Sequence, residues 1–189
     1  MKVLQPIATV CLLALGCACT TSAPKSDVGF ERAQSIQALE GCFKSHGEGG
    51  KDTAQRLLSK VTWPTANLNH ANVKAVRVVA MNSTTLKVTA ETDEETLHES
   101  LFVEGRDFFL ESGRIRVRND LKVSPTSRGS GGNVFIGVLH ESTELGIDRI
   151  GDGRLQEATS LAGTAFLVFP AAGRVRHVSR FRNERALCK

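Results

Sequence analysis

The chain of 189 residues is poor in the aromatic side chains that carbohydrate-binding proteins use. It contains no tyrosine, one tryptophan (Trp63) and nine phenylalanines. Sugar sites commonly present an exposed tryptophan or tyrosine ring, which combines an apolar face with a polar group. The composition therefore argues against a lectin. The formal net charge of +4 is too small to indicate nucleic-acid binding.

The motifs of the common catalytic and phosphate-binding sites are also absent. The sequence has no GxSxG nucleophile elbow. The glycine-rich run at 128–132 (RGSGG) lacks the GK[ST] ending of a phosphate-binding loop. Asp148 and Asp152 provide fewer carboxylates than an EF-hand requires, and a hairpin turn explains them equally well. The sequence thus predicts a non-catalytic protein without a metal or a cofactor.

The tetrapeptide Leu-His-Glu-Ser occurs twice, at 97–100 and at 139–142. On a strand, alternation places His98 and Ser100 on one face. A serine nucleophile needs a nearby base and a third group that orients the base, and the sequence identifies no such third group. Zinc binding by His98 and His140 lacks the usual close spacing of ligands. We interpret both copies as solvated strand residues.

After the first residues the sequence has no apolar run long enough to span a membrane, so no later membrane-spanning helix is predicted. The run Ile7–Gly16 follows Lys2, is too short for a stable spanning helix, and is typical of an export signal. It ends in Leu13-Ala14-Leu15-Gly16-Cys17, which resembles the bacterial lipobox. The resemblance implies that Cys17 is lipidated and becomes the mature N-terminus. The protein would then face the periplasm from a membrane, which we predict to be the outer membrane.

Two alternatives to lipidation at Cys17 stay open. One is an ordinary cleaved signal peptide, and the other is lipidation of Cys19, which follows Ala18. The predicted organisation is a signal and lipobox region at 1–19, a flexible tether at 20–29 (TTSAPKSDVG) and one domain at 30–189.

Cysteine usage fits an oxidising compartment. Cys11 leaves with the signal and Cys17 carries lipid, so three cysteines remain of the five in the sequence. We predict a disulfide between Cys42 and Cys188, with Cys19 free or linked to another chain. The alternative is that Cys42 and Cys188 stay unpaired.

A series of short apolar or alternating runs, separated by turn signals, fills residues 73–182. Period-two alternation and even spacing predict an all-β fold, a small antiparallel β-barrel or a lipocalin-like meander. The predicted strands are Val73–Ala80, Thr85–Glu91, Phe108–Leu110, Ile115–Arg118, Val134–Leu139, Leu145–Ile150, Leu155–Thr159, Phe166–Phe169 and Val175–Phe181. Four turns are predicted between consecutive strands, at Met81–Thr84, Ser112-Gly113, Asp152-Gly153 and Pro170–Gly173.

Two short helices are predicted before this series. Apolar spacing indicates the first at Phe30–Leu39. Asp52 and Gln55 resemble a capping box and indicate the second at Thr53–Val61, with a strand at Arg56–Thr62 as the alternative. Residues 124–133 (SPTSRGSGGN) are predicted to be a flexible loop.

Arginines alternate with apolar residues on two predicted strands and would form outward stripes. If the strands are neighbours, they form a basic patch for an acidic protein surface, lipid headgroups or an anionic envelope polymer. The alternative is a solvated face whose arginines pair with Glu141, Glu144, Asp148 or Glu157. The stripes contain Arg114, Arg116 and Arg118 on one strand and Arg174, Arg176, Arg180 and Arg182 on the other.

Gly41-Cys42-Phe43, between a short helix and a β-meander, resembles the Gly-x-Trp opening of lipocalins. The resemblance implies a barrel around an apolar ligand, with Arg176 or Arg180 covering Phe43. The sequence as a whole predicts an envelope-anchored periplasmic lipoprotein that binds an apolar ligand or a protein partner. The alternative is an immunity or inhibitor protein that neutralises a toxin or hydrolase in the periplasm.

Overall fold

The protein is mostly β-sheet, as a computed structural model that describes residues 18–49, 56–117, 127–128, 134–165 and 169–188 shows. The described residues also contain one α-helix, α1 (Leu58–Thr62), and 3-10 helices at Ile36–Leu39 and Arg185–Leu187. The prediction of an all-β fold is confirmed at this level. The strands are β1 (Ala18–Ser22), β2 (Gly41–Lys44), β3 (Glu48–Gly49), β4 (Ala75–Ala80), β5 (Thr85–Glu91), β6 (Thr96–Val103), β7 (Phe108–Glu111), β8 (Arg114–Val117), β9 (Ser127–Arg128), β10 (Val134–Ile147), β11 (Gly153–Ala165) and β12 (Phe169–Phe181).

These strands form two sheets. The large sheet has the order β1-β12-β11-β10-β8-β7, with β3 also paired to β12 and β9 also paired to β10. The small sheet has the order β2-β4-β5-β6. Only β1 runs parallel to its neighbour, and every other ladder among the described strands is antiparallel. The ladders of the described strands do not close into a barrel.

The two sheets are joined along one side, where the chain after β12 runs beside β2. The Lys44 N–H donates to the Arg182 carbonyl (2.9 Å), and the Glu184 N–H donates to the Cys42 carbonyl (2.8 Å). The disulfide between Cys42 and Cys188 closes the same side, with a Cα–Cα distance of 5.9 Å. The predicted pairing is therefore confirmed, and it holds the two sheets together at this joint.

The core lies between the inner faces of the sheets. Leu155 and Phe181 of the large sheet have no exposed surface, and Val76 and Leu86 of the small sheet are at most 2% exposed. Alternation along each strand turns these side chains inward. Trp63, which follows α1, is buried in the same cluster. The apolar face of each sheet therefore packs against that of the other.

Several predicted turns are confirmed. Ser112 and Gly113 join β7 to β8 with φ values of 53° and 79°, and two successive positive φ values are what a tight hairpin turn of this hand requires. Between β10 and β11, the Asp148 carboxylate accepts hydrogen bonds from the N–H groups of Ile150 and Asp152, both at 3.0 Å. Asp148 and Asp152 thus serve the turn.

Two other local predictions are wrong. β12 runs without a break through Pro170–Gly173, which was predicted to be a turn, because these residues continue a thirteen-residue ladder with β11. Long-range pairing outweighs the local turn propensity here. Strand β10 ends at Ile147, not at Ile150, because residues 148–152 form the turn.

The predicted helices are shorter in the structure. Within Phe30–Leu39 only Ile36–Leu39 is helical, and Phe30 instead forms an isolated bridge with Asp148. The second helix is α1, while residues 53–55 lie outside the described residues. The predicted loop at 124–133 also lies outside them, apart from β9. No helix of the described chain has the length and apolar character needed to cross a membrane.

The segment predicted to be a flexible tether differs from that prediction. Strand β1 (Ala18–Ser22) lies on the edge of the large sheet, and Pro24 is buried. Residues 24–31, which we call the N-terminal strap, continue across the outer face of the same sheet. The Glu31 N–H donates to the Ile147 carbonyl at 2.7 Å. Pairing with residues more than 110 positions away holds this segment on the domain.

Candidate functional site

An apolar cleft lies between the two sheets. Its volume is about 130 Å³, and both sheets together with α1 line it. Thr62, Asp107 and Arg154 are the lining residues with polar side chains among those the structure describes. The hydrocarbon side chains that face the cleft from the two sheets include Phe43, Val78, Val88, Phe102, Ile115 and Leu145.

The polar groups around the cleft are already engaged within the protein. The Thr62 hydroxyl donates to the Leu58 carbonyl (2.9 Å). The Asp107 carboxylate accepts from the Val103 N–H (2.8 Å) and from the guanidinium of Arg106 (2.7 Å). The hydrogen bond from Arg106 lowers the pKa of Asp107, against the opposing effect of burial. A group that enters the cleft therefore meets mainly hydrocarbon.

Trp63, His98 and Ser100 form a polar cluster on the inner face of the small sheet. The Trp63 Nε1–H donates to Ser100 Oγ (3.0 Å), and His98 Nε2 lies 3.3 Å from the same oxygen. Because the tryptophan N–H can only donate, Ser100 is free to donate its proton to His98. The indole and imidazole rings meet edge to face at 5.1 Å. The face predicted to be solvated is in this copy half-buried against Trp63.

In the part of the chain that the structure describes, this cluster differs from a serine hydrolase site in how its histidine is held. Within the described residues, no hydrogen bond to the second ring nitrogen of His98 orients the base. His140, from the other copy of the tetrapeptide, is exposed on β10 in the large sheet, with its backbone opposite Ser160. The two histidines thus lie on different sheets. The cluster satisfies the polar groups of residues that cover one end of the core.

A second buried polar chain connects Ser45, Ser59 and His70. The two hydroxyl oxygens are 3.3 Å apart, and His70 Nδ1 lies 3.2 Å from Ser59 Oγ. Both serines have no exposed surface. Each hydroxyl therefore has a partner, as buried polar groups require. Sequence reasoning did not identify this chain, because no spacing rule connects its three residues.

Four of the arginines in the predicted stripes are paired with carboxylates. Arg114 contacts Glu144 (3.0 Å) and Arg116 contacts Glu111 (2.9 Å). Both arginines lie on strand β8 of the short β7–β8 hairpin. The same holds on β12 and just after it, where the ion pairs are Arg180 with Asp152 (2.7 Å) and Arg182 with Glu48 (2.6 Å). These four follow the alternative of a face with internal ion pairs, and Arg118 lies outside the described residues.

The N-terminal strap covers part of the same face. The guanidinium of Arg154 donates two hydrogen bonds of 2.8 Å to the Asp27 carboxylate. The Phe30 ring lies under the guanidinium groups of both Arg114 (4.6 Å) and Arg154 (4.3 Å). Arg180 donates to the Ser26 hydroxyl (2.6 Å). The strap thus occupies the centre of the surface that the sequence predicted for a partner.

The electrostatics of the strap follow from these contacts. The hydrogen bond from Arg154 lowers the pKa of Asp27, partly opposed by burial, with smaller contributions from the Gly29 N–H and the charge of Arg176. The side chain of Arg154 is 7% exposed. Asp27 is therefore the counter-ion of a buried cation.

Arg174 and Arg176 differ from the other arginines of β12. Arg174 is exposed and Arg176 is half-buried. Among the described residues neither forms an ion pair, although Arg176 lies close enough to Asp27 to lower the pKa of that carboxyl. The lipocalin resemblance implied that Arg176 or Arg180 covers Phe43. In the structure Arg180 is instead bound to Asp152.

The cysteines outside the disulfide lie at the start of the chain. Cys19 is a free, exposed cysteine on β1. Cys17, the predicted lipidation site, lies outside the described residues.

No protein-family model, curated protein or solved structure shows significant similarity to this chain.

Proposed function

We propose that the protein is an exported, lipid-anchored, non-catalytic binding protein, and that the cleft between its sheets takes a slim apolar group such as the end of an acyl chain. The observation that carries this proposal is the almost wholly hydrocarbon lining of the cleft. The sheets are joined along β2 and the end of β12. This arrangement supports a half-open barrel, which is the finer form of the predicted fold.

The size of the cleft limits the ligand. At about 130 Å³ it is below the range of roughly 300–1,000 Å³ usual for whole small-molecule ligands. A cavity of about 150 Å³ holds one benzene molecule, so the cleft takes roughly six carbon atoms. Burial of six methylene groups at about 0.8 kcal/mol each gives about 5 kcal/mol. Because ordering the ligand opposes binding, this free energy is an upper limit, and the Kd is no tighter than about 0.2 mM.

The single tryptophan provides the assay. Trp63 is the only tryptophan and the chain has no tyrosine, so Trp63 accounts for the ultraviolet emission of the protein. Its ring lies 6.5 Å from the ring of Phe102, which lines the cleft. Bromine quenches indole fluorescence at short range. We expect 8-bromooctanoic acid to quench Trp63 with a saturating dependence on concentration.

Neighbouring positions on β4 provide a matched pair of variants. Val78 lines the cleft, whereas Val79 points away from it and is 37% exposed. Val78→Phe fills the cleft and should weaken quenching about tenfold or more, while Val79→Phe should change it less than about twofold. Cooperative urea unfolding of both variants confirms that they fold. If the wild type shows no saturable quenching, or if Val78→Phe is quenched as strongly as the wild type, the proposed site is wrong.

The anchor is tested by the mature N-terminus. The lipobox-like segment supports lipidation of Cys17, and the start of β1 directly after it is compatible with a mature chain that begins there. Growth with labelled fatty acid should label the wild type and Cys19→Ser but not Cys17→Ser. If Cys19→Ser loses the label and Cys17→Ser keeps it, the anchor lies two residues further along, at Cys19. An unlabelled wild type contradicts lipidation.

The alternative of an immunity or inhibitor protein depended on the arginine stripes. Four of the six described arginines are paired internally, and the N-terminal strap covers the centre of their face. These contacts remove most of the support for a protein-binding patch on that face. The binding of an apolar group in the cleft is therefore the function that the geometry supports better.

A further inference from the structure

Strand β1 fixes the position of the N-terminus on the large sheet. Its parallel ladder with β12 sets Ala18 opposite Gly173 and Ser22 opposite His177. Successive Cα atoms are about 3.8 Å apart, so a lipid on Cys17 would be attached one residue before this ladder begins. The anchor, which is part of the proposed function, therefore has no flexible spacer before the domain.

A basic edge lies next to this point. The register places Cys19 beside Arg174 and Thr21 beside Arg176, so these side chains share one face of the sheet. Lys25 follows in the strap that crosses the same face, and it is exposed. We call Lys25, Arg174 and Arg176 the basic edge. Neither arginine forms an ion pair with a described carboxylate.

The carboxylates nearby are neutralised or face the other way. Asp27 is bound by Arg154, and Glu144 accepts from Arg114 (3.0 Å) and from Gln156 (3.1 Å). Glu157 is opposite His177 in the β11–β12 ladder, which places it on the other face, where Arg56 binds it (2.9 Å). The basic edge therefore keeps its positive charge.

We propose that the basic edge docks on the anionic phospholipid headgroups of the membrane that holds the lipid anchor, with Arg174 and Arg176 against phosphate. A single acyl anchor is strengthened by basic residues close to an anionic bilayer, and each contributes when it lies within a Debye length of the surface. The absence of a spacer keeps the two arginines at that distance. The docking rests on the proposed lipidation, and it fixes which face of the domain meets the membrane.

The test uses the mature lipidated protein in phosphatidylcholine vesicles, with and without phosphatidylglycerol, that contain nitroxide-headgroup lipid. In a Cys19→Ser background, a dye is attached at Ser160→Cys, opposite Arg174, or at Lys87→Cys, on the outer face of the small sheet. With phosphatidylglycerol we expect quenching at 160 to exceed that at 87 by about threefold or more. The excess should fall towards zero without it.

Charge variants separate docking from general attraction. Arg174→Gln with Arg176→Gln should abolish the excess quenching at 160. Arg116→Gln with Arg182→Gln removes the same charge from exposed ion pairs elsewhere on the sheet. This control variant should retain the excess quenching at 160. If the protein does not float with the vesicles, the lipid anchor itself is wrong. Flotation with equal quenching at 160 and 87, or no effect of the Arg174/Arg176 variant, overturns docking alone and leaves these arginines to a protein partner.

Discussion

The ion pair between Asp27 and Arg154 makes the clearest quantitative prediction about the N-terminal strap. Asp27→Ala leaves the guanidinium of Arg154 at 7% exposure without its carboxylate. Loss of one partner costs about 3–5 kcal/mol for a fully buried pair and about 0–1 kcal/mol for an exposed pair. Because the Asp27 side chain is 26% exposed, water replaces part of the interaction. We expect the free energy of unfolding to fall by about 2 kcal/mol.

Urea unfolding followed by Trp63 fluorescence measures this change. The matched control is Asp93→Ala, which removes a carboxylate from a 3.5 Å pair with Lys74 whose side chains are 71% and 60% exposed. That variant should cost less than about 0.5 kcal/mol. Arg154→Met, alone and combined with Asp27→Ala, completes a double-mutant cycle. A coupling energy near zero, or equal costs for Asp27→Ala and Asp93→Ala, refutes the role of the strap as counter-ion to the sheet.

Three further perturbations follow from the same contacts. The folded-state pKa of Asp27 lies below its ordinary value of 3.8, so its contribution to stability is present above that pH and is lost as pH falls through the folded-state pKa. Asp27→Asn should remove this part of the acid sensitivity in urea titrations. An unchanged dependence of the unfolding free energy on pH contradicts the prediction. Replacing Cys42 and Cys188 together by serine opens a loop of 146 residues and should lower the unfolding free energy by about 4–5 kcal/mol as an upper value, a loss that reduction of the wild type should reproduce. Gly113→Ala places a Cβ 2.5 Å from a backbone nitrogen at a φ of +79°, and it should cost more than Gly105→Ala, whose φ is +85° but whose Cβ meets nothing within 4 Å; equal thermal midpoints would show that the close approach is relieved.

Local patterns predicted the hairpins well. The strand Thr85–Glu91 has the bounds that alternation indicated, and Ser112-Gly113 forms the predicted turn. In these places one short segment contains both the periodicity and the turn residues, so neighbours in sequence decide the structure. The disulfide was predictable for a related reason, because few cysteines were left to pair once the first residues were assigned to a predicted export signal.

The parts that sequence reasoning missed depend on distant residues. Asp27 and Arg154 are 127 positions apart, and nothing in TTSAPKSDVG distinguishes a packed strap from a flexible tether. The same limit applies to Pro170–Gly173, where turn-forming residues lie in a strand because β11 continues opposite them. The arginines alternated as predicted, but whether a carboxylate lies across each of them is set by strand order, which the sequence does not state.

The strap changes what the proposed lipid anchor would do in this protein. With a flexible tether, the domain would move freely and either sheet could face the membrane. In the structure the segment from Ala18 to Glu31 is bound along the large sheet, by a strand ladder at one end and by Asp27 and Phe30 at the other. The proposed anchor at Cys17, together with the basic edge, would then hold the large sheet near the bilayer. The cleft between the sheets would then keep one orientation to the surface from which an acyl chain would come.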